Sequence, residues 1–272
     1  MPPRLVLPPQ FPERFATEWG RDEFGIFQSF AIKNVVQRMR WIPPGSFVMG
    51  SPRGELLRLR NEYPHPVELT FGFWLGDTIV TQALWETVMG TNPSQFNGPN
   101  HPVETVNWDD CQEFISRLNG HLEGLAARLP TEAEWEYACR AGTTGATYAG
   151  DFRLGSDIAA VLDPIAWYSE NSNETTHPVA QKLPNPWGLY DMLGNVYEWC
   201  TDWYGDFDKA PAYDPKGPAE GAGRVLRGGS WRGEAINVRA AVRDTATPDR
   251  RYSRVGLRLA RTPAPSPAKR NS

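Results

Sequence analysis

The sequence predicts an α+β fold that is rich in loops, with few helices and short strands. Three observations carry this expectation. The chain has 272 residues with 25 Gly and 25 Pro, so breaks and reversals are frequent and long regular elements are few. Two runs alternate small or apolar side chains with Arg or Gly: Val238-Arg239-Ala240-Ala241-Val242-Arg243 and Val255-Gly256-Leu257-Arg258-Leu259-Ala260. That period of two is the pattern of half-buried strands. Helical spacing occurs only in short stretches, as at Cys111, Phe114, Ile115 and Leu118, which fall at i, i+3, i+4 and i+7. With 40% hydrophobic residues and 11 Trp the chain can bury a sizeable core, expected as one large domain.

Charge and cysteine usage narrow the partners. A formal net charge of -4 and a pI near 5.7 favour neither nucleic acid nor an anionic membrane surface. No apolar run approaches the roughly 18 residues that a membrane span needs, so no membrane partner is expected. Cys111, Cys139 and Cys200 are odd in number and lack CxxC spacing. They read as buried free thiols in a reducing, cytoplasmic setting. Residues 1–9 are broken by proline and contain no apolar h-region, which argues against a signal peptide.

Taken in order, residues 1–38 carry Phe11, Phe15, Trp19, Phe24, Phe27 and Phe30, too many aromatics for a disordered tail. They form either an extension or hairpin packed on the domain, or an arm that docks a partner. Residues 39–51 read as strand, turn, strand; residues 53–61 as a charged loop; residues 62–69 as a returning strand in which His65, between two prolines, is structural or exposed. Gln82 to Met89 is a helix with Thr81 as N-cap and Gly90 just past its end. Trp108 to Leu118 is a second helix. Thr131 and Glu134 form a capping box that starts a third, and the macrodipole accounts for Glu132, Glu134 and Glu136 near its start. Residues 142–177 and 201–223 are mostly loop. The alternating runs near the C-terminus hold two aperiodic segments, 232–236 and 244–254, as loops between strands. The proline-rich residues 262–272 are expected to be disordered.

Several of these stretches carry a family resemblance. Arg227-Gly228-Gly229-Ser230-Trp231, the run from Val238 to Arg243, and Gly256-Leu257-Arg258 resemble the C-terminal core of the formylglycine-generating enzyme family, also called the sulfatase-modifying-factor family. Met39-Arg40-Trp41-Ile42-Pro43-Pro44-Gly45-Ser46-Phe47-Val48-Met49-Gly50, Arg128-Leu129-Pro130-Thr131-Glu132-Ala133-Glu134-Trp135 and Asn185-Pro186-Trp187-Gly188-Leu189-Tyr190-Asp191-Met192 resemble further hallmarks. The resemblance implies a C-type-lectin-like domain over residues 39–261, loop-rich with short antiparallel sheets.

It also implies where metals would sit. Relatives hold a structural calcium ion by main-chain carbonyls and one glutamate; carried over, these are Asp191, Gly194, Val196 and Glu198. Oxygen-only ligation suits a hard cation. The alternative is that Glu198 bonds backbone N–H groups with no ion present. Catalytic relatives carry two cysteines just after the Gly-Gly-Ser element, and these bind copper. Here that segment reads Arg232-Gly233-Glu234-Ala235-Ile236-Asn237, and no cysteine follows Cys200. Cu(I) is selected by sulfur, so no copper is expected.

The leading functional expectation is a non-catalytic protein that binds a protein or other macromolecular ligand. Its contact residues are Trp231, Arg232, Glu234, Ile236, Asn237, Asp244, Thr245, Thr247, Arg250, Tyr252, Ser253 and Arg254. Aromatics and Arg dominate recognition hot spots. The layout resembles a variable protein of a diversity-generating retroelement, in which fixed framework residues separate diversified ones. A second expectation is a metal-dependent oxidase or an enzyme related to sulfoxide synthases. His65, His101, His121 and His177 are scattered, without the pairing that an imidazole-bound metal needs.

Overall fold

The structure is a computed structural model and describes residues 6–155 and 157–263. In chain order the elements are β1 (Glu18–Asp22), β2 (Gly25–Ile32), β3 (Val35–Ile42), β4 (Gly45–Met49), β5 (His65–Leu69), β6 (Phe73–Gly76), α1 (Gln82–Met89) and α2 (Trp108–His121). There follow β7 (Ala127–Arg128), α3 (Glu132–Arg140), α4 (Ile158–Leu162), β8 (Tyr197–Trp203), β9 (Ala212–Tyr213), β10 (Arg224–Arg227), β11 (Arg243–Ala246), β12 (Val255–Gly256) and β13 (Ala260–Arg261). A 3₁₀ turn occupies Ala235–Asn237. Three sheets result, ordered β1-β2-β3-β6-β13-β7, β11-β10-β8-β12 and β4-β5-β9. Pairing is antiparallel apart from β12 with β8 and β5 with β9. This is an α+β, C-type-lectin-like architecture, with helices few and loops many.

Local chemistry sets the helix starts. Thr81 accepts the Leu84 N–H at 3.3 Å, and Gly90, with φ of 81°, returns its N–H to Glu86 O at 2.8 Å. At α3, Thr131 Oγ1 accepts from Glu134 N while Glu134 accepts from Thr131 N, a complete capping box. Asn107 and Asp110 make a second such box at α2. Each box pairs two N–H groups that a helix start leaves open.

Two cores result. One packs α1 and α2 on the large sheet through Phe30, Met39, Trp74, Leu84, Trp85 and Phe114, with Trp85 stacked on Phe114 at 4.8 Å. The other packs α3 against the smaller sheets through Val67, Leu69, Trp135, Ala138, Cys139, Cys200 and Val225. All three cysteines are free and buried.

The described N-terminal residues pack against the large sheet. β1 and β2 form a hairpin that extends the large sheet, and a boundary between residues 38 and 39 falls inside β3. Phe30 is fully buried, Phe11 stacks on Trp74 at 6.0 Å, and Phe15 lies under the Arg261 guanidinium at 5.0 Å. Trp19, on the edge strand β1, stays 52% exposed. Of the proline-rich tail, residues 264–272 lie outside the described residues.

The alternating C-terminal runs depart from the sequence expectation. Val238 to Ala241 is bend and turn, and the strand begins only at Arg243, extending to Ala246 where a loop was expected. The second run is strand at Val255–Gly256 and Ala260–Arg261, with Leu257 to Leu259 between them bonded to the segment around β6: Val80 N donates to Leu257 O and Gly76 N to Leu259 O. The arginines do not face water. Arg239, Arg243, Arg258 and Arg261 are all buried, so the alternation reflects apolar packing on one side and buried ion pairs on the other. The expected loop 142–177 also contains α4, and α2 runs on to His121.

Candidate ligand-binding surface

A buried frame of arginine and glutamate lies beneath the C-terminal loops. Arg258 pairs with Glu198 at 2.7 Å and also donates to Gly76 O at 3.0 Å and Tyr190 O at 2.8 Å. Arg239 grips Glu62 at 2.6 Å and Glu55 at 2.5 Å. Arg243 holds Glu132 with both Nε and Nη2, at 2.6 and 2.8 Å. Arg227 pairs with Glu136, which also accepts from Arg140 at 2.8 Å. Of the three glutamates near the start of α3, Glu134 closes the capping box and pairs with Arg128 at 2.6 Å, while Glu132 and Glu136 are buried partners of these arginines. Bidentate Arg–carboxylate pairs fix geometry in a way that a single apolar contact does not.

Hydrogen bonds tie the loops to the segments around this frame. Trp231 N donates to Asn195 O at 2.7 Å, its carbonyl accepts from Ser172 Oγ at 2.7 Å, and its indole N–H reaches Ser253 O at 3.0 Å. Phe96 meets its ring edge-on at 5.3 Å. Trp231 is therefore a buried pin, 8% exposed, and not the contact residue the sequence suggested. The pin ties residues 231–237 to residues 252–254. On the other flank Thr105 N donates to Tyr252 O and Trp108 N to Pro248 O, each at 3.0 Å, while Tyr197 N donates to Arg254 O at 2.8 Å. Glycines permit these approaches: Gly229 has φ of 76° and a Cβ there would lie 2.5 Å from Asn237 O.

Side chains of the expected contact set then face outward from a fixed backbone. Arg232 and Glu234 are exposed, and Ile236 and Asn237 are half-buried in the 3₁₀ turn. Thr245, Thr247, Arg250 and Tyr252 are exposed; Asp244, Ser253 and Arg254 are half-buried. The Arg254 guanidinium lies over the Tyr252 ring at 5.2 Å. Asp244 and Arg254 both act on the hydroxyl of Tyr197, whose acidity is suppressed chiefly by burial and then by the Asp244 charge. Trp231 thus touches the 252–254 segment and Asp244 and Arg254 both lie near Tyr197, whereas Thr247 and Arg250 sit beside the start of α2, where Arg251 grips Asp110 at 2.7 and 2.8 Å. The supporting positions Phe96, Ser172 and Tyr197 carry no sequence signal of this role, because only the fold brings them to Trp231 and Arg254.

The implied calcium set does not fit this geometry. Both Glu198 oxygens are taken: Oε1 accepts from Arg258 Nη2 at 2.7 Å and Nε at 3.1 Å, and Oε2 from Arg258 Nε at 3.0 Å and Trp135 Nε1 at 2.7 Å. A carboxylate offers about four acceptor sites, so protein donors occupy the charge that a cation would use. Copper finds no thiols where the resemblance places them, since residues 232–237 contain none. Burial pushes Cys139 up to about 12 and also raises the thiols of Cys111 and Cys200 well above the ordinary cysteine value, which suppresses thiolate chemistry. Among the described residues no three His, Cys, Asp or Glu side chains gather as a metal site requires. His101 and His177 do lie near each other, bonded to Thr176 Oγ1 at 3.0 Å and Ser172 O at 2.7 Å respectively.

The profile of the sulfatase-modifying factor enzyme 1-like domain matches residues 26–263. The chain belongs to this family. Among its relatives, a formylglycine-generating enzyme of Streptomyces coelicolor is 38% identical over 192 residues, covering 66% of this chain and 59% of that protein. The mouse formylglycine-generating enzyme is 34% identical over 191 residues, 66% of this chain and 50% of that one. The chain thus spans only half to three-fifths of these relatives. Among solved structures, Treponema denticola variable protein 1 superposes with a TM-score of 0.77 at 34% identity, over 87% of this chain and 99% of that one. PvdO from Pseudomonas aeruginosa superposes with a TM-score of 0.71 at 24% identity, over 92% and 100%, and shares the fold. No helix among the described residues is long and apolar enough to cross a membrane.

Proposed function

We propose that this sulfatase-modifying-factor family member is a non-catalytic ligand-binding protein of the retroelement variable-protein type. Its binding surface is formed by residues 232–237 and 244–254, and its ligand is a protein or another macromolecule. One observation carries the reading: both segments are tied through their carbonyls to other parts of the fold, Gly233 and Ile236 to Ser169 N and Arg239 Nε, and Pro248, Tyr252 and Arg254 to the backbone N–H groups of Trp108, Thr105 and Tyr197, while Arg232, Glu234, Thr245, Thr247, Arg250 and Tyr252 remain exposed. A surface that must tolerate exchange of contact residues needs this separation of support from contact. The similarity to the Treponema variable protein supports it, and so does the absence of thiols between residues 200 and 272.

The second reading, a metal-dependent oxidase, is favoured by the identity to formylglycine-generating enzymes. One experiment separates the two. The chain is displayed with Arg232, Glu234, Thr245, Thr247, Arg250 and Tyr252 randomised and selected against a panel of unrelated proteins. In parallel, the purified parent chain is incubated with copper and a sulfatase-motif peptide. The proposal expects folded binders with new residues at these positions and no aldehyde by mass spectrometry. Aldehyde formation at catalytic turnover, or a library that yields no folded binder, would overturn it.

A further inference from the structure

A cavity of ≈ 430 Å³ lies on the opposite side of β11 from Asp244, on the face where Arg243 points inward. It is lined by the first turn of α3, by β5, by the end of β8 and by residues of the 205–218 stretch. Met49, Ala133, Phe207 and Pro218 give it apolar walls. Its volume falls within the range of small-molecule sites, roughly 300–1,000 Å³.

The polar feature of this cavity is Asp202, only 3% exposed. Its Oδ2 accepts the Glu132 N–H at 2.9 Å, in the first turn of α3. Its Oδ1 makes no hydrogen bond to any described residue except within its own backbone neighbourhood. Among the described residues no cation forms an ion pair with it, and the charge of Arg224 reaches it only at longer range. Arg243, on β11, is committed to Glu132. Arg224, on β10, donates to Thr201 O at 2.7 Å and stacks over Trp203 at 3.6 Å. Arg128 is committed to Glu134 at 2.6 Å. His65, on β5, bonds Tyr63 O through Nδ1 and packs on Phe207 at 4.6 Å. On the loop, Asp206 and Asp208 add negative charge to the lining and Lys216 is its one exposed cation.

We propose that this cavity is a second binding site, for a small organic ammonium ion with an apolar body, and that Asp202 is its counter-ion. The apolar walls take the body of the ligand, and a buried carboxyl without a cation is the group such a ligand would complete. An anion is disfavoured by Glu132, Asp206 and Asp208. A divalent metal lacks ligands, because the only other buried carboxylate here, Glu132, is consumed by Arg243.

The charge state of Asp202 supplies a signature. Burial, then the charge of Glu132, pushes its pKa up to about 8, so the empty site holds a neutral carboxyl at pH 7. An ammonium ion at Oδ1 favours the carboxylate, and the acid proton leaves to solvent as the ion pair forms. Affinity then rises with pH until about pH 8 and levels off above it.

The test is calorimetric titration of the full chain with 2-phenylethylamine at pH 6 and pH 7, in buffers of different protonation heat, beside the uncharged 2-phenylethanol. The proposal expects saturable amine binding, release of nearly one proton, and affinity about ten-fold higher at pH 7 than at pH 6. The alcohol should bind at least about ten-fold more weakly. Asp202→Asn keeps an acceptor for the Glu132 N–H and should lose both the proton release and most of the amine affinity. Should that variant fail to fold, the proton count and the amine-to-alcohol ratio of the parent chain still decide. Absence of saturable binding, equal binding of the alcohol, or binding without proton release would overturn the proposal and leave Asp202 as a partner of the α3 start alone.

Discussion

Within one short stretch of chain, arginine does two opposite jobs. Arg227, Arg239, Arg243, Arg258 and Arg261 are buried, and each meets at least one glutamate from a distant segment: Glu136, Glu62, Glu132, Glu198 and Glu13. Arg232, Arg250 and Arg251 lie between them in sequence and face water. Arg251 alone of these holds a carboxylate, Asp110, in a surface pair whose guanidinium is exposed and whose carboxylate is half-buried. The buried group joins elements that no continuous sheet connects, for Arg239 lies in a turn and Glu62 in a loop. The difference teaches that rigidity in this molecule comes from charge pairs under the surface and is separable from the residues displayed on it.

The sharpest way to break that comparison is to remove one buried guanidinium. Arg258→Met leaves Glu198 buried and uncompensated, and is expected to cost about 3–5 kcal/mol in urea denaturation. Adding Glu198→Gln to the same chain removes the orphan charge and should recover part of that loss. Next in size is Gly229→Ala, which places a Cβ 2.5 Å from Asn237 O at a φ of 76°. Strain of this kind costs about 1–3 kcal/mol, read as a lowered unfolding midpoint with an unchanged slope.

Much of the fold was legible in the residues, and for physical reasons. The helix starts at Thr81 and Thr131 were readable because capping is local chemistry. The apolar face of α2 was readable because helical period is local too. The strand assignment at residues 238–243 failed because alternation records which side chains are apolar, and it says nothing of whether the intervening Arg meets water or a glutamate 177 residues away, as Arg239 meets Glu62. Trp231 was misjudged for a similar reason: an aromatic beside exposed residues is an anchor for ligand or for fold, and only its bonds to Asn195, Ser172 and Ser253 tell which. Glu198 looked like a cation ligand because the partner that saturates it, Arg258, is distant in sequence. Arg232, Glu234 and the loop at residues 247–254 were legible as exposed, since polar residues without period seldom have another place to go.

The central claim is that support and display are carried by different residues, and a single paired denaturation experiment tests it. One variant replaces Arg232, Glu234, Thr245, Thr247, Arg250 and Tyr252 together by Ala; the other carries only Arg258→Met. The combined surface variant should unfold within about 1 kcal/mol of the parent chain, while the single frame variant loses several times that. A surface variant that unfolds as readily as the Arg258 variant would show that the displayed residues hold the molecule together, and would contradict the account.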